Sequence, residues 1–139
     1  MPCCVSDIVF PLFFVRDNDG SCTFDYVLTA VTLAFVRDPG KVISECARAL
    51  RAKGSLIAAI IDKNSFLGEY YLRKKGLFYK NAKMLTAGKT AALLKKTGFN
   101  KFIFYQNIFK KPEEIKAFQP VKQGYGRGGF VVIRAQKTL

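Results

Sequence analysis

The segment from Phe24 to Asn64 constrains the fold of this chain more than any other. It holds FDYVLTAVTLAFVRDP (Phe24–Pro39), a stretch of helical periodicity, and then RALRAKGSLIAAIID (Arg48–Asp62). Tyr26–Val36 is nearly all apolar with no period of two, the pattern of a strand buried on both faces that runs on into a loop. Asp38-Pro39 then opens a helix: aspartate accepts from a free first-turn amide, and proline has no amide to satisfy. Val42, Ile43, Cys46, Ala47 and Leu50 recur at helical spacing and make one apolar face. Arg48, Arg51 and Lys53 gather where the helix dipole favours cations, and Gly54 reads as the stop. Ser55–Ile61 is the next buried strand, ending at Asp62. Strand, helix and strand in this order predict an α/β sheet.

The flanking sequence extends the alternation. Ser65 caps a short helix through Tyr70, Tyr71 and Lys75, and Gly76–Lys83 is an aromatic loop. Thr86 caps a further helix carrying Ala91, Leu93 and Leu94, which stops before Gly98. Phe102–Asn107 and Phe130–Ala135 read as strands. A long connection, Phe109–Gly129, lies between them and ends in the glycine-rich Gly124–Gly129. Ahead of the main segment, Ile8–Val15 is apolar, and Pro11 confines it to an edge. Arg16–Thr23 is a turn around Asn18, Asp19 and Gly20. Residues 1–23 are therefore an atypical N-terminal segment with a candidate edge strand, and 24–139 carry the domain.

Composition excludes several functions. Half of the 139 residues are apolar and 14% are aromatic, enough for a packed core in one domain. The chain has no histidine, so Ser-His-Asp and Cys-His catalysis cannot be built from it. Cys3, Cys4, Cys22 and Cys46 fit no metal spacing; no metal site is expected, and the thiols are expected to be reduced. Ile8–Val15 is too short to span a bilayer, and no basic region precedes it. A soluble, cytoplasmic chain without a membrane partner is the expectation. The net charge of +13 is unevenly spread. Residues 1–40 hold Arg16 and Arg37 against Asp7, Asp17, Asp19, Asp25 and Asp38; the remaining basic residues lie beyond. Such asymmetry suits an anionic partner, and Arg73-Lys74-Lys75, Lys95-Lys96 and Lys110-Lys111 near tyrosines suit an RNA. The lysines come in scattered pairs rather than one arginine-rich block, so RNA binding is not the favoured reading.

Phe24 to Asp62 resembles the class I S-adenosylmethionine-dependent methyltransferases of the type 11 group. The pattern there is an FD strand start, a buried strand, a D-P helix start, then R-x-L-K-x-G-G-x-L and a strand. Arg48, Leu50, Lys53 and Gly54 hold that pattern, with Ala52-Lys53-Gly54 standing where two glycines are common. Downstream, DKNSFLGEYYLRKKG, FYKNAKMLTAGKTAALLKKTGF and the closing FVVIRAQK fit too, so the resemblance covers Phe24 to Lys137. It implies an α/β, partial doubly wound (Rossmann-like) sheet, mostly parallel, with helices on both faces and an antiparallel last strand. The N-terminal strands of that fold are missing from these residues.

The resemblance also implies S-adenosylmethionine as cofactor, an acceptor that is a small molecule, and sites for both. Thr29, Ala30, Val31 and Thr32 fall at the end of the first family strand present, where relatives meet the cofactor through their backbone. Asp62, at the end of the next strand, is a candidate to orient an acceptor amine or to cap its turn. Tyr70, Tyr71 and Tyr79 are candidates for an acceptor pocket, and Arg127 for holding an acceptor carboxylate or phosphate. No catalytic residue is assigned. The family's glycine-rich turn after its first strand and the acid that holds the ribose are not among these residues. Gly124–Gly129 does not replace the turn, because it precedes a strand instead of opening a helix. Weak or no cofactor binding by this truncated chain follows. Missing strands also leave Tyr26–Thr29 as an apolar sheet edge. Either Ile8–Val15 folds back over that edge or two chains pair along it as a homodimer. Two rivals to a methyltransferase remain open at this point: a non-catalytic remnant that pairs through the edge, and a basic RNA-binding domain.

Overall fold

Asp38 begins the first helix as its residue type dictates. In a computed structural model, which describes residues 12–15, 24–74, 83–110 and 112–138, its Oδ1 accepts from the Lys41 amide at 3.2 Å. Helix α1 (Pro39–Ala49) follows, with proline in its first turn. Ile43 and Cys46 are fully buried, and Val42 and Ala47 pack beside them. Helix α2 (Phe66–Lys74) is short and opens at Ser65, whose Oγ accepts from the Gly68 amide at 3.0 Å. Helix α3 (Ala87–Thr97) is capped by Thr86, which accepts from the Lys89 amide at 3.1 Å, and closes on Gly98 in the left-handed conformation at φ 105°.

The strands are β1 (Leu12–Val15), β2 (Phe24–Ala30), β3 (Leu50–Ile61), β4 (Phe99–Asn107), β5 (Lys122–Gln123) and β6 (Phe130–Lys137). They form one sheet in the order β1-β2-β3-β6-β4-β5. β2 and β3 pair in parallel, and β6 lies antiparallel between β3 and β4, so β2, β3 and β4 share one direction. The architecture is α/β, and the last strand runs antiparallel as the family resemblance implies. α1 and α3 pack against each other on one face. Val27 from β2, Leu56, Ala58 and Ile60 from β3, and Val131, Ile133 and Ala135 from β6 fill the core beneath them.

Two expectations are corrected, and one alternative, the fold-back over the Tyr26–Thr29 edge, is met. The first helix does not run to Gly54: it ends at Ala49, and the backbone turns straight into β3 at Leu50. The carbonyls freed at its end are met by a distant side chain. Lys137 Nζ donates to Ala47 O at 2.6 Å and to Leu50 O at 2.8 Å. Gly54 lies inside β3 at a register shift against β2, where a Cβ would sit 2.9 Å from Arg51 O and 3.2 Å from Asp25 O. Its missing side chain permits close backbone approach, not a helix stop. Next, β2 is not covered on both faces. Val27 and Thr29 are buried, whereas Tyr26 is 42% exposed and Leu28 and Ala30 are half-buried. The period of two hidden by an apolar sequence is thus real in space. Finally, the Tyr26–Thr29 edge has a neighbour within the chain. Leu12–Val15 pairs antiparallel to it, Leu12 opposite Thr29 and Val15 opposite Tyr26. This satisfies the backbone groups of that edge and leaves a homodimer no unpaired Tyr26–Thr29 ladder to use.

Candidate cofactor and acceptor site

In open α/β sheets ligands lie beyond the carboxyl ends of the parallel strands. Here those ends are Ala30, Ile61 and Asn107, and the start of β6 lies between the last two. Each end is built differently.

After β2 the chain turns sharply. Val31 has φ 59°, in the left-handed region, and its amide donates to Ala59 O at 2.8 Å. A β-branched residue pays about 1–3 kcal/mol to stay there, so the surrounding structure must hold it. Thr32 starts a short 3-10 turn, Thr32–Ala34, with its Oγ1 toward Ala30 O at 3.4 Å and its side chain buried. Thr29, one turn earlier, is 1% exposed, and its Oγ1 has no hydrogen-bond partner among the described residues. A buried hydroxyl left unpaired costs roughly 1–3 kcal/mol.

After β3, Asp62 organises the entry to α2. Its amide donates to Gly129 O at 2.9 Å, its Oδ1 accepts from the Asn64 amide at 3.0 Å, and its carbonyl accepts from Ser65 Oγ at 2.6 Å. Asp62 is 5% exposed and acts as the turn residue of this corner. Gly68 must pass so close that a Cβ would lie 2.3 Å from Asp62 O. On α2, Tyr70 stands edge-on to Tyr71 with ring centroids 5.4 Å apart, and its hydroxyl donates to Glu113. Tyr79 lies outside the described residues.

The end of β4 carries the group that sequence reasoning missed. Gln106 is 7% exposed, and its Oε1 accepts from the amides of Arg127 at 3.0 Å and Gly128 at 2.8 Å. One strand side chain thereby holds the glycine-rich loop. A Cβ at Gly128 would lie 2.6 Å from Asn107 O, and one at Gly129 2.3 Å from Leu67 Cβ. These glycines let the loop press between β4 and α2. A glutamine following aromatic strand residues gives no motif; the only available signal was a glycine-rich loop whose amides need an acceptor.

These contacts bring several candidates to one edge. Ile108 O accepts from the Gly129 amide at 2.8 Å, and Gly129 O accepts from Asp62, so the ends of β4, β6 and β3 are tied together. Val31 is tied to β3 through Ala59. Arg127 has an exposed side chain on the same loop, while the Tyr70 hydroxyl is engaged at an exposed position by Glu113. Among the described residues no group of three His, Cys, Asp or Glu could hold a metal ion, and no helix is long and apolar enough to cross a membrane.

The residues present fit one side of an S-adenosylmethionine site. The strained Val31 turn and the orphaned Thr29 hydroxyl offer backbone and side-chain polar groups at the end of β2. Gly124–Gly129 is committed to Gln106, Leu67 and β4, so it serves packing rather than a phosphate or methionine cradle.

A mixed sheet of this order, with its functional edge at the carboxyl ends and an antiparallel last strand, defines a Rossmann-like methyltransferase fold. Residues 16–58 match the type 11 family model described as a methyltransferase domain. An uncharacterised protein of Methanocaldococcus jannaschii is 42% identical over 116 residues, 82% of this chain and 56% of its own length. A crystal structure from Thermotoga maritima, of a SAM-dependent methyltransferase called a possible histamine N-methyltransferase, aligns with a TM-score of 0.79 and 43% identity. It too matches 82% of this chain and 56% of its own length. A methyltransferase structure from Bacillus halodurans, at 15% identity and TM-score 0.56 over 84% of this chain and 65% of its own, shows the shared fold alone. The chain belongs to the class I S-adenosylmethionine-dependent methyltransferase family, and it spans 56% of the length of the first two relatives.

Proposed function

We propose that these residues form the acceptor-side wall of an S-adenosylmethionine-dependent methyltransferase that methylates a small molecule bearing an amine. The observation that carries this reading is the convergence of the Val31 turn, Asp62 and the Arg127 loop at one carboxyl edge, tied through Ala59 and Gly129. The name of the Thermotoga maritima relative supports an amine acceptor.

The cofactor, when bound, supplies an electrophilic methyl group on a sulfonium. What this chain contributes is position. The turn at Thr29–Thr32 borders the cofactor through backbone groups, and the Thr29 hydroxyl gains a partner there. Asp62, already fixed by its bond to the Asn64 amide, would orient the acceptor amine, and the cofactor would supply the methyl group it accepts. Arg127 and the Tyr70–Tyr71 pair flank the acceptor from the two connections that follow. No residue of this chain is assigned to the methionine or ribose portions.

Calorimetry with S-adenosylmethionine tests the reading in two arms. The chain alone is expected to show no dissociation constant in the micromolar range. A chimera supplying the segment of the Methanocaldococcus jannaschii relative that this chain does not match, joined in the relative's own order, is expected to bind. Micromolar binding by the chain alone overturns the single-wall assignment. Failure of a folded chimera to bind overturns the methyltransferase reading and favours a non-catalytic role.

A further inference from the structure

A groove of about 970 Å³ lies between α1 and α3 and reaches the residue after Asp62. Lys41, Lys63, Lys83, Lys89 and Lys96 all line it, and all five are exposed. None of them takes part in an ion pair among the described residues, where the pairs are Arg48 with Glu45, Arg51 with Asp25 and Arg73 with Glu69. The single acid among the described residues that line the groove, Asp38, is committed to capping α1 through the Lys41 amide. Lys41 and Lys89 also stand in the first turns of α1 and α3, which contain no acidic residue. Helix starts favour acids, so positive charge is concentrated here against the usual trend. The floor is different in kind: Leu72, Met84, Leu85 and Leu93 give it an aliphatic surface.

We propose that this groove binds a phosphate-bearing amphiphile, taken as a single molecule with its phosphate among the lysines and its aliphatic part on the floor. Five uncompensated ammonium groups select an anion that carries more than one charge. No arginine is among the described residues that line the groove, so the charge is met there by point contacts without a bidentate fork. None of the described residues that line it is aromatic, and single-stranded nucleic acid needs such stacking surfaces. A concave volume at the upper end of the small-molecule range, about 300–1,000 Å³, suits a monomer better than a flat bilayer surface. The groove adjoins the cofactor edge, through Lys63 beside Asp62 and through Lys83, whose amide donates to Ala34 O at 2.7 Å, but the proposal does not depend on the methyltransferase reading.

Calorimetric titration at 150 mM salt (roughly physiological ionic strength) tests this, using monododecyl phosphate below its aggregation threshold. Expected is binding at least tenfold tighter than that of inorganic phosphate or of dodecanol. The double variant Lys41→Glu, Lys89→Glu should lose at least tenfold. Its melting temperature without ligand should rise by about 2–4 °C, since acids at helix starts are favoured, which separates lost binding from lost folding. Leu93→Ser should weaken monododecyl phosphate and leave inorganic pyrophosphate unchanged. Undiminished binding by the charge-reversed variant overturns the proposal. So does tighter binding of a 20-nucleotide RNA, or of anionic phospholipid vesicles, at the same lysines.

Discussion

At the scale of single residues, burial has removed chemistry from Cys46. The side chain is fully buried in the core, and desolvation, with the neighbouring Glu45 charge adding to it, pushes its thiol up to about 12 from 9.0. The folded state therefore holds the proton more tightly than the unfolded state. Its stabilising contribution is complete below about pH 9 and is lost as pH rises from there toward about 12. Urea midpoints measured from pH 8 upward should fall with a steeper slope for this chain than for Cys46→Ala, whose overall stability is lower at every pH. Parallel slopes would show that Cys46 ionises as freely in the fold as outside it. Sequence spacing had placed Cys46 on the inner face of α1, and that much was legible. Gln106 was not, because its partners, the amides of Arg127 and Gly128, lie 21 and 22 residues away. Nor was the left-handed backbone of Val31, which valine itself disfavours and only its surroundings impose.

Elements began where local chemistry said they would. Asp38, Ser65 and Thr86 each cap the helix expected of them, because capping is settled within three residues of chain. Ends depending on distant partners escaped: α1 stops at Ala49, where Lys137 takes its carbonyls across 90 residues. The glycines of these elements divide the same way. Gly129 admits Leu67 of α2 so closely that Gly129→Ala must displace the helix, and a cost of about 1–3 kcal/mol is expected from overpacking. Gly88 sits in the first turn of α3 with nothing within 4 Å of an added Cβ. Gly88→Ala should stabilise by about 0.4–1 kcal/mol through the unfolded chain. Chemical denaturation of the two variants, with circular dichroism as the readout, compares them directly. Equal effects would mean that α2 is not seated against the glycine-rich loop as described.

For the whole molecule, the arrangement that matters is the sheet's first edge. β1 covers β2 along Tyr26–Thr29, and the unpaired ladder of an apolar edge is a template for association. Removal of residues 1–16 should therefore raise the association state, seen in sedimentation as concentration-dependent dimers or larger species that the full chain does not form under the same conditions. A truncated chain that stays monomeric at high concentration would show that β1 does not guard the edge. The sequence by itself determined the α/β alternation, the capped helix starts and the family, because these depend on residue type and on spacing within one or two turns. Tertiary structure alone decided that β2 is half-exposed on one face, that Gly54 and Gly129 serve close packing, and that Gln106 and Lys137 close distant backbone groups. It also gathered five lysines from two helices and two connections around one groove. Those outcomes join residues far apart in the chain, and no local pattern encodes which amide, carbonyl or charge will arrive opposite.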